Sequence, residues 1–152
     1  MKENLKKILQ ARVYEVAKET PLEKANILSK RFNNNIFLKR EDLQDVFSFK
    51  IRGAFNKMRN LSRNKLKKGV ITSSAGNHAQ GVALSALKLK SKATILMPIT
   101  TPLVKIKAVK ELQAEVILFG ENYDESYSEA LRLSKERDLT SVSYTHLTLP
   151  TT

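Results

Sequence analysis

The chain has 152 residues, of which 41% are hydrophobic and 28% charged, a composition typical of one globular domain with its own core, which excludes a disordered protein. It contains no cysteine, so a disulfide framework, a cysteine-ligated metal and a thiol nucleophile are excluded. No apolar run approaches the ~20 residues of a membrane span. No apolar segment follows the basic N-terminus either, so we expect a cytoplasmic protein without a membrane partner.

The net charge of +12 favours anionic partners such as nucleic acids, because basic side chains neutralise phosphates. The basic residues are nevertheless scattered along the chain. Their densest cluster, residues 63–68, lies where we expect a helix to end, and cations there complement the helix dipole while staying in water. No aromatic residue lies within this cluster to stack on bases. We therefore expect no nucleic-acid partner, and a basic binding module is the alternative from another functional class.

The first half of the chain is predicted to be mostly helical. Apolar residues recur at helical spacing from residue 2 to residue 19, and Thr20 ends this helix because a residue before proline avoids helical dihedral angles. Ser48 is expected to cap a later helix that ends at Gly69. The predicted elements are helices over 2–19, 22–32 and 48–68 and a strand over 36–40.

From residue 70 onward, predicted strands and helices alternate. The strands are expected at 70–72, 92–98 and 115–120, and the helices at 76–89, 102–112 and 124–137. This alternation predicts an α/β fold with a parallel sheet built from right-handed βαβ units. Ligands bind such sheets at the carboxyl ends of strands, which is where residues 73–77 fall.

Two short stretches carry the candidate chemistry. The first, Ser-Phe-Lys-Ile-Arg-Gly-Ala at residues 48–54, places Lys50 at a loop-to-helix junction. A lysine held partly out of water loses some preference for its charged form, so its amine can act as nucleophile and base. The second, Ser-Ser-Ala-Gly-Asn-His-Ala-Gln at residues 73–80, is a small-residue turn that opens a helix and offers free N–H groups to an anion. Together they indicate a site for an amino acid joined to a carbonyl cofactor.

Both stretches resemble the signature of the pyridoxal-phosphate (PLP) enzymes of the tryptophan-synthase-β type, whose fold is called fold-type II. The flanking residues 13–22, 38–44 and 100–102 are most similar to the biosynthetic threonine dehydratase branch. The resemblance covers about residues 11–140 and only the front part of the family's catalytic unit. It implies a truncated form of this fold, PLP as the cofactor, a small amino-acid substrate, and a homo-oligomer when the protein is intact.

The resemblance also implies a role for each candidate residue. Lys50 forms the Schiff base with the cofactor aldehyde in this family and, once released, takes the substrate Cα proton, with the pyridine ring as electron sink. Asn77 is expected to hydrogen-bond the phenolic oxygen of the cofactor, and Phe49 either packs on the cofactor or is an ordinary core aromatic. The loop expected to receive the substrate carboxylate comprises Ser73, Ser74, Ala75, Gly76 and His78. The acidic pair at residues 41–42 is expected to anchor a loop at most, and the sequence assembles no metal site.

The implied reaction is the dehydration and deamination of L-threonine to 2-oxobutanoate and ammonia, as in isoleucine biosynthesis. A serine dehydratase or serine racemase of the same fold is the alternative. Family members hold the cofactor phosphate with a tetraglycine loop, whereas the five glycines of this sequence are dispersed and form no such loop. We therefore expect the 152-residue chain itself to be inactive.

The C-terminal segment, residues 142–152, changes in character. It is rich in threonine and lacks Asp, Glu, Lys and Arg, and it resembles a translated sequencing adapter. We predict that residues 1–141 are the N-terminal part of a PLP catalytic domain and that residues 142–152 are a non-native, adapter-derived tail. A divergent natural C-terminus is the alternative.

Overall fold

The computed structural model describes residues 2–143. The helices are α1 (Lys2–Gln10), α2 (Asn26–Arg31), α3 (Lys50–Arg59), α4 (Arg63–Lys68), α5 (Asn77–Lys88), α6 (Leu103–Glu111) and α7 (Tyr123–Glu136). The strands are β1 (Leu22–Lys24), β2 (Phe37–Lys39), β3 (Val70–Ser73), β4 (Ala93–Met97), β5 (Glu115–Leu118) and β6 (Thr140–Ser141), and short 3-10 helices cover Val13–Glu15 and Glu41–Leu43. None of the helices in this described part is long and apolar enough to cross a membrane.

The main sheet has four strands in the order β5-β4-β3-β6, and all its strand pairs are parallel. From β3 the chain moves outward through β4 to β5, and it then returns to the opposite side of β3 as β6. The direction therefore reverses beside β3, so the carboxyl end of β3 lies at the switch point where such sheets bind ligands. The predicted parallel α/β fold is confirmed, and residues 73–77 lie at this switch point.

The same reversal decides which helices cover which face of the sheet, because βαβ crossovers are right-handed. Helices α3, α5 and α6 share one face, and α7 covers the other. The buried cluster on the first face includes Ala54, Met58, Val82, Ile95 and Val109. The cluster on the second face consists of Ile71, Leu96, Ala130 and Leu133. Since β3 and β4 are buried along their whole lengths, a site at their carboxyl ends rests on a rigid base.

The N-terminal third differs from the prediction. The helix expected over 2–19 ends at Gln10. Lys18 instead forms two hydrogen bonds with the Gln44 side chain. Its N–H donates to Gln44 Oε1 at 2.8 Å, and its carbonyl accepts from Gln44 Nε2 at 2.9 Å. Residues 22–24 form strand β1 and not a helix, because they pair with β2 in an antiparallel ladder. In both cases a partner distant in sequence overrides the local spacing.

The helix expected from Ser48 to residue 68 is divided into α3 and α4. The division arises because Ser62 Oγ accepts a hydrogen bond from the Lys65 N–H at 3.3 Å and caps a new helix. Ser48 makes a similar contact, since its Oγ accepts the Lys50 N–H at 3.1 Å, although the helix begins only at Lys50. Gly69 follows α4 with φ of +111°, a conformation that side chains other than glycine rarely adopt.

Val142, the first residue of the predicted tail, is fully buried. Its N–H donates to the Ile71 carbonyl at 2.9 Å, and its carbonyl oxygen lies 2.8 Å from His78 Nε2. These contacts continue the pairing of β6 with β3. We therefore propose that a non-native tail starts after Val142 and not at it; residues 144–152 lie outside the described residues.

We expect two C-terminal deletions to differ in their effect on stability. Deletion of residues 144–152 should change the free energy of unfolding by less than ~0.5 kcal/mol, because a non-native segment has not been selected to stabilise the fold. Deletion of residues 142–152 should lower it by about 1.5–3 kcal/mol, because it removes a buried valine side chain. Urea unfolding of both truncated chains beside the full chain measures the difference. Equal losses for the two deletions would show that Val142 does not stabilise the core.

Candidate active site

Lys50 is the first residue of α3 and therefore lies at the predicted loop-to-helix junction. The residue is partly buried, and its Nζ lies 5.2 Å from the centroid of the Phe49 ring. This distance gives a cation–π contact that keeps the amine beside the aromatic face. Phe49 is 59% exposed, so it is not an ordinary core aromatic, and its ring is accessible to a ligand.

The loop after β3 is held by a hydrogen bond to β4 and by another within the loop. The Ser74 N–H donates to the Leu96 carbonyl at 3.0 Å, and Ser74 Oγ accepts the Gly76 N–H at 3.2 Å. Ser73 Oγ is buried and has no hydrogen-bond partner within residues 2–143. A Cβ built on Gly76 would have no atom within 4 Å, so open space borders the loop. A buried hydroxyl that lacks a partner, in a loop beside open space, favours binding of a polar ligand group.

Asn77 is the first residue of α5 and is exposed. In the described part of the chain its side-chain amide makes no hydrogen bond, and no side chain caps this end of the helix. The first N–H groups of a helix have no acceptor within it, and together with the helix dipole they favour a negative charge. Asn77 therefore presents an uncommitted amide beside backbone donors.

His78 is held differently from the rest of the loop, because it is buried with Nε2 against the Val142 carbonyl. Burial lowers the pKa of His78, and the positive charge of Lys50 lowers it further. The hydrogen bond to the Val142 carbonyl acts in the opposite direction and raises it. The imidazole is therefore neutral at neutral pH. Since a carbonyl only accepts, Nε2 carries the hydrogen. His78 links α5 to the residue after β6, and its predicted contact with the substrate carboxylate stays a prediction.

Helices α3 and α5 pack most closely where Gly81 faces the backbone of Lys50. A Cβ built on Gly81 would lie 3.2 Å from both the carbonyl carbon and the carbonyl oxygen of Lys50, and 3.3 Å from Ile51 N. Gly81 lies one helical turn after Asn77, on the same face of α5. The contact therefore brings the start of α3 to the face of α5 that carries Asn77. The two stretches singled out in the sequence are therefore neighbours in the fold.

The first turn of α3 is also held by an ion pair between Arg52 and Glu41. Arg52 Nε donates to Glu41 Oε2 at 2.8 Å and Arg52 Nη2 to Oε1 at 2.9 Å. The side chains are only 22% and 15% exposed. The Arg52 guanidinium lowers the pKa of Glu41 to about 2, and the Thr20 hydroxyl contributes, although burial opposes both. Glu41 thus anchors its loop, as the sequence predicts.

Residues 13–147 match the family described as pyridoxal-phosphate dependent enzyme, and the chain belongs to this family. Within it, the chain is 56% identical over 141 residues to the biosynthetic L-threonine dehydratase of Burkholderia multivorans, covering 91% of this chain and 28% of that protein. Other curated relatives are threonine dehydratases of plants and yeasts named as chloroplastic or mitochondrial. The chain spans 23–28% of the length of the first curated relatives it matches.

Solved structures share the fold. The processed form of threonine deaminase isoform 2 from Solanum lycopersicum matches with a TM-score of 0.88 and 54% identity, over 92% of this chain and 39% of that one. Maize serine racemase matches with a TM-score of 0.85 and 28% identity, over 92% of this chain and 42% of that one. These likenesses confirm the α/β fold of fold-type II PLP enzymes for the described residues.

The residues of the site fit PLP, the cofactor of this family. Lys50 offers a partly buried amine to the aldehyde, and Asn77 offers an amide that no described residue occupies. The start of α5 and the Ser73 hydroxyl offer donors to an anionic group. No cluster of His, Cys, Asp and Glu within residues 2–143 is able to hold a metal ion.

Gly81 and Arg52 contact the first turn of α3 or hold it through Glu41, but they were not singled out in the sequence. A glycine inside a helix is unfavourable by about 1 kcal/mol relative to alanine, and this is the signal that could have indicated close packing at Gly81. Arg52 lies within the quoted stretch at residues 48–54. The contacts of Arg52 depend on Glu41, and these two residues approach each other only in the folded chain.

We expect Gly81→Ala to destabilise the chain, because the new methyl group would meet backbone atoms of Lys50 that cannot rotate away. Overpacking costs about 1–3 kcal/mol, more than the roughly 1 kcal/mol that alanine gains over glycine in a helix. Gly76→Ala is the control, since its Cβ points into open space. Urea melts of both variants test this. A loss for Gly76→Ala as large as that for Gly81→Ala would contradict the close contact.

The low pKa of Glu41 predicts a loss of stability in acid. A carboxyl whose pKa is lowered by folding stabilises the fold above its unfolded pKa, and this contribution disappears as the pH falls toward the folded pKa. For Glu41 the ordinary value is 4.5 and the folded value about 2, so the loss should occur in this window. The difference in unfolding free energy between the unmodified chain and Glu41→Gln should shrink as the pH is lowered through it. A difference that stays constant with pH would contradict the ion pair.

Proposed function

We propose that the protein to which this chain belongs converts L-threonine to 2-oxobutanoate and ammonia with PLP as cofactor. The proposal is supported most directly by the packing of α3 on α5 at the switch point of the sheet, where Gly81, one turn after Asn77, meets the backbone of Lys50. The sequence identity to threonine dehydratases supports the same reaction. Because those relatives are biosynthetic enzymes, the proposal extends to isoleucine biosynthesis.

PLP, when bound, supplies an aldehyde for covalent attachment and a ring that accepts electrons from the substrate Cα. Lys50 would hold the cofactor through Nζ, and its amine would serve as the base that takes the substrate Cα proton. The Phe49 ring lies beside this amine and gives the cofactor an aromatic surface to pack against. The Asn77 amide would donate to the phenolic oxygen of the cofactor and so orient its ring.

The substrate carboxylate is proposed to bind the loop after β3. The Ser73 hydroxyl is buried there without a partner among the described residues, so a carboxylate oxygen satisfies it. Gly76 lacks a side chain and leaves space for the substrate, while its own N–H is already donated to Ser74 Oγ. The N–H groups of Ala75 and Asn77 are therefore the backbone donors available to the carboxylate.

Threonine is the substrate that the comparisons support best, because identity to threonine dehydratases exceeds identity to the serine racemase of the same fold. A serine dehydratase or racemase is the second candidate. The presence of both Lys50 and Asn77 in one site argues against a non-catalytic basic module. The cytoplasmic location, the homo-oligomer and the absence of a nucleic-acid partner stay predictions.

The proposal is tested by reducing the complex of the chain and PLP with borohydride and mapping the labelled peptide. Lys50 should carry the label. Lys50→Ala should remove it, and so should Lys50→Arg, because a guanidinium stays charged and forms no covalent bond with an aldehyde. Lys57→Ala is the matched control, since Lys57 lies exposed on the same helix and its loss should leave the Lys50 label unchanged.

Addition of an amino acid before reduction tests the substrate. L-threonine should protect Lys50 from labelling at lower concentration than L-serine, because the amine of the better substrate replaces Lys50 more effectively. Stronger protection by L-serine would favour the serine enzyme. A label found mainly on a lysine other than Lys50 would overturn the assignment of the site.

A further inference from the structure

The Glu41 carboxylate is the centre of a group of contacts that joins three separate segments of the chain. Besides the two hydrogen bonds from Arg52, it accepts one from Thr20 Oγ1 at 2.5 Å and one from Gln44 Nε2 at 3.3 Å. Each carboxylate oxygen therefore has two donors. Charge-assisted, bidentate contacts of this kind fix geometry more tightly than a single hydrogen bond.

The Lys18 peptide extends this group. Its carbonyl oxygen accepts hydrogen bonds from Arg52 Nη2 at 3.1 Å and from Gln44 Nε2 at 2.9 Å, while its N–H donates to Gln44 Oε1 at 2.8 Å. The Tyr14 ring lies under the Arg52 guanidinium, with Cζ 5.1 Å from the ring centroid. Arg52 is thus held on several sides by residues outside its own helix.

Arg52 lies in the first turn of α3, two residues after Lys50. Phe49 at the N-cap position provides no side-chain hydrogen bond, and among the side chains near this end Ser48 Oγ accepts only the Lys50 N–H. The N–H groups of a first turn also lack partners within the helix. The orientation of Lys50 therefore depends on what holds this turn. Ile51 anchors the turn by burial in the core, and Arg52 ties it to distant segments by side-chain hydrogen bonds.

Here we propose that the Arg52–Glu41 pair is a positioning device that fixes the amine of Lys50 for attachment of the cofactor. The inference rests on the proposed function of Lys50. Arg52 and Glu41 act as positioning residues and do not themselves touch the cofactor. Gly81 sets how closely α3 approaches α5, whereas the pair sets the conformation of the turn from which Lys50 projects.

A purely stabilising ion pair makes a different prediction. It would lower the stability of the fold when broken but leave the reactivity of Lys50 in folded molecules unchanged. A matched comparison exists in α7, where Arg132 Nε and Nη2 donate to Glu129 at 2.8 and 2.7 Å. This second pair has the same bidentate geometry, but its arginine is 58% exposed, and α7 covers the opposite face of the sheet from α3.

The test measures the ratio of borohydride-trapped PLP label on Lys50 to that on Lys57 in the full chain. Lys57 lies exposed on the same helix and serves as an internal reference that does not depend on the pair. Arg52→Gln should lower the ratio by about tenfold or more, the scale on which misplacement of a reacting group acts. Arg52→Lys should lower it as well, because an ammonium cannot span both carboxylate oxygens. Arg132→Gln should leave the ratio unchanged.

The outcomes separate the two proposals. A Lys50 label that is absent from the unmodified chain would overturn the proposed function, and the positioning role with it. Preferential labelling of Lys50 that survives in Arg52→Gln and Arg52→Lys would overturn the positioning role alone. If Arg52→Gln does not fold, Glu41→Gln and Thr20→Val test the same role, because they keep Arg52 and change only one of the other residues in the group. Each should lower the ratio, and an unchanged ratio in both would overturn the inference.

Discussion

The close approach of α3 to α5 is the contact on which the candidate site depends. Gly81 allows it, since any Cβ at this position would press against the carbonyl group of Lys50. Lys50 and Asn77 are separated by a helix, a second helix and a strand along the chain, so neither stretch forms a site alone. A glycine that is unfavourable for its helix by intrinsic propensity is therefore required by the packing that brings Lys50 to the face of α5 that carries Asn77.

The sheet supplies the second constraint. The direction of the chain reverses beside β3, so the loop after β3 has a strand on each side of it and open space at its end. The His78 side chain joins α5 to the residue after β6, because its Nε2 donates to the Val142 carbonyl. Its burial favours a neutral imidazole, and the positive charge of Lys50 acts in the same direction. The site thus combines a rigid base, one basic amine and uncommitted hydrogen-bond donors, as attachment of a carbonyl cofactor requires.

The sequence predicted the elements that depend on local signals and missed those that depend on distant partners. The strands and helices from residue 70 to residue 137 match their prediction closely, because β-branched runs and turn residues mark them locally. The motif around Lys50 also predicted its place at a helix start. Strand β1 was predicted as a helix, since only pairing with β2 makes it a strand. The contact of Lys18 with Gln44 spans 26 positions, and no local pattern reports it.

The central claim is that Lys50 and Asn77 belong to one PLP site, and a crystal structure of the chain soaked with PLP tests it most directly. We expect continuous electron density from Lys50 Nζ to the cofactor, with the Asn77 amide within hydrogen-bond distance of its phenolic oxygen. Cofactor density that joins another lysine would contradict the claim, as would density at Lys50 that lies away from Asn77.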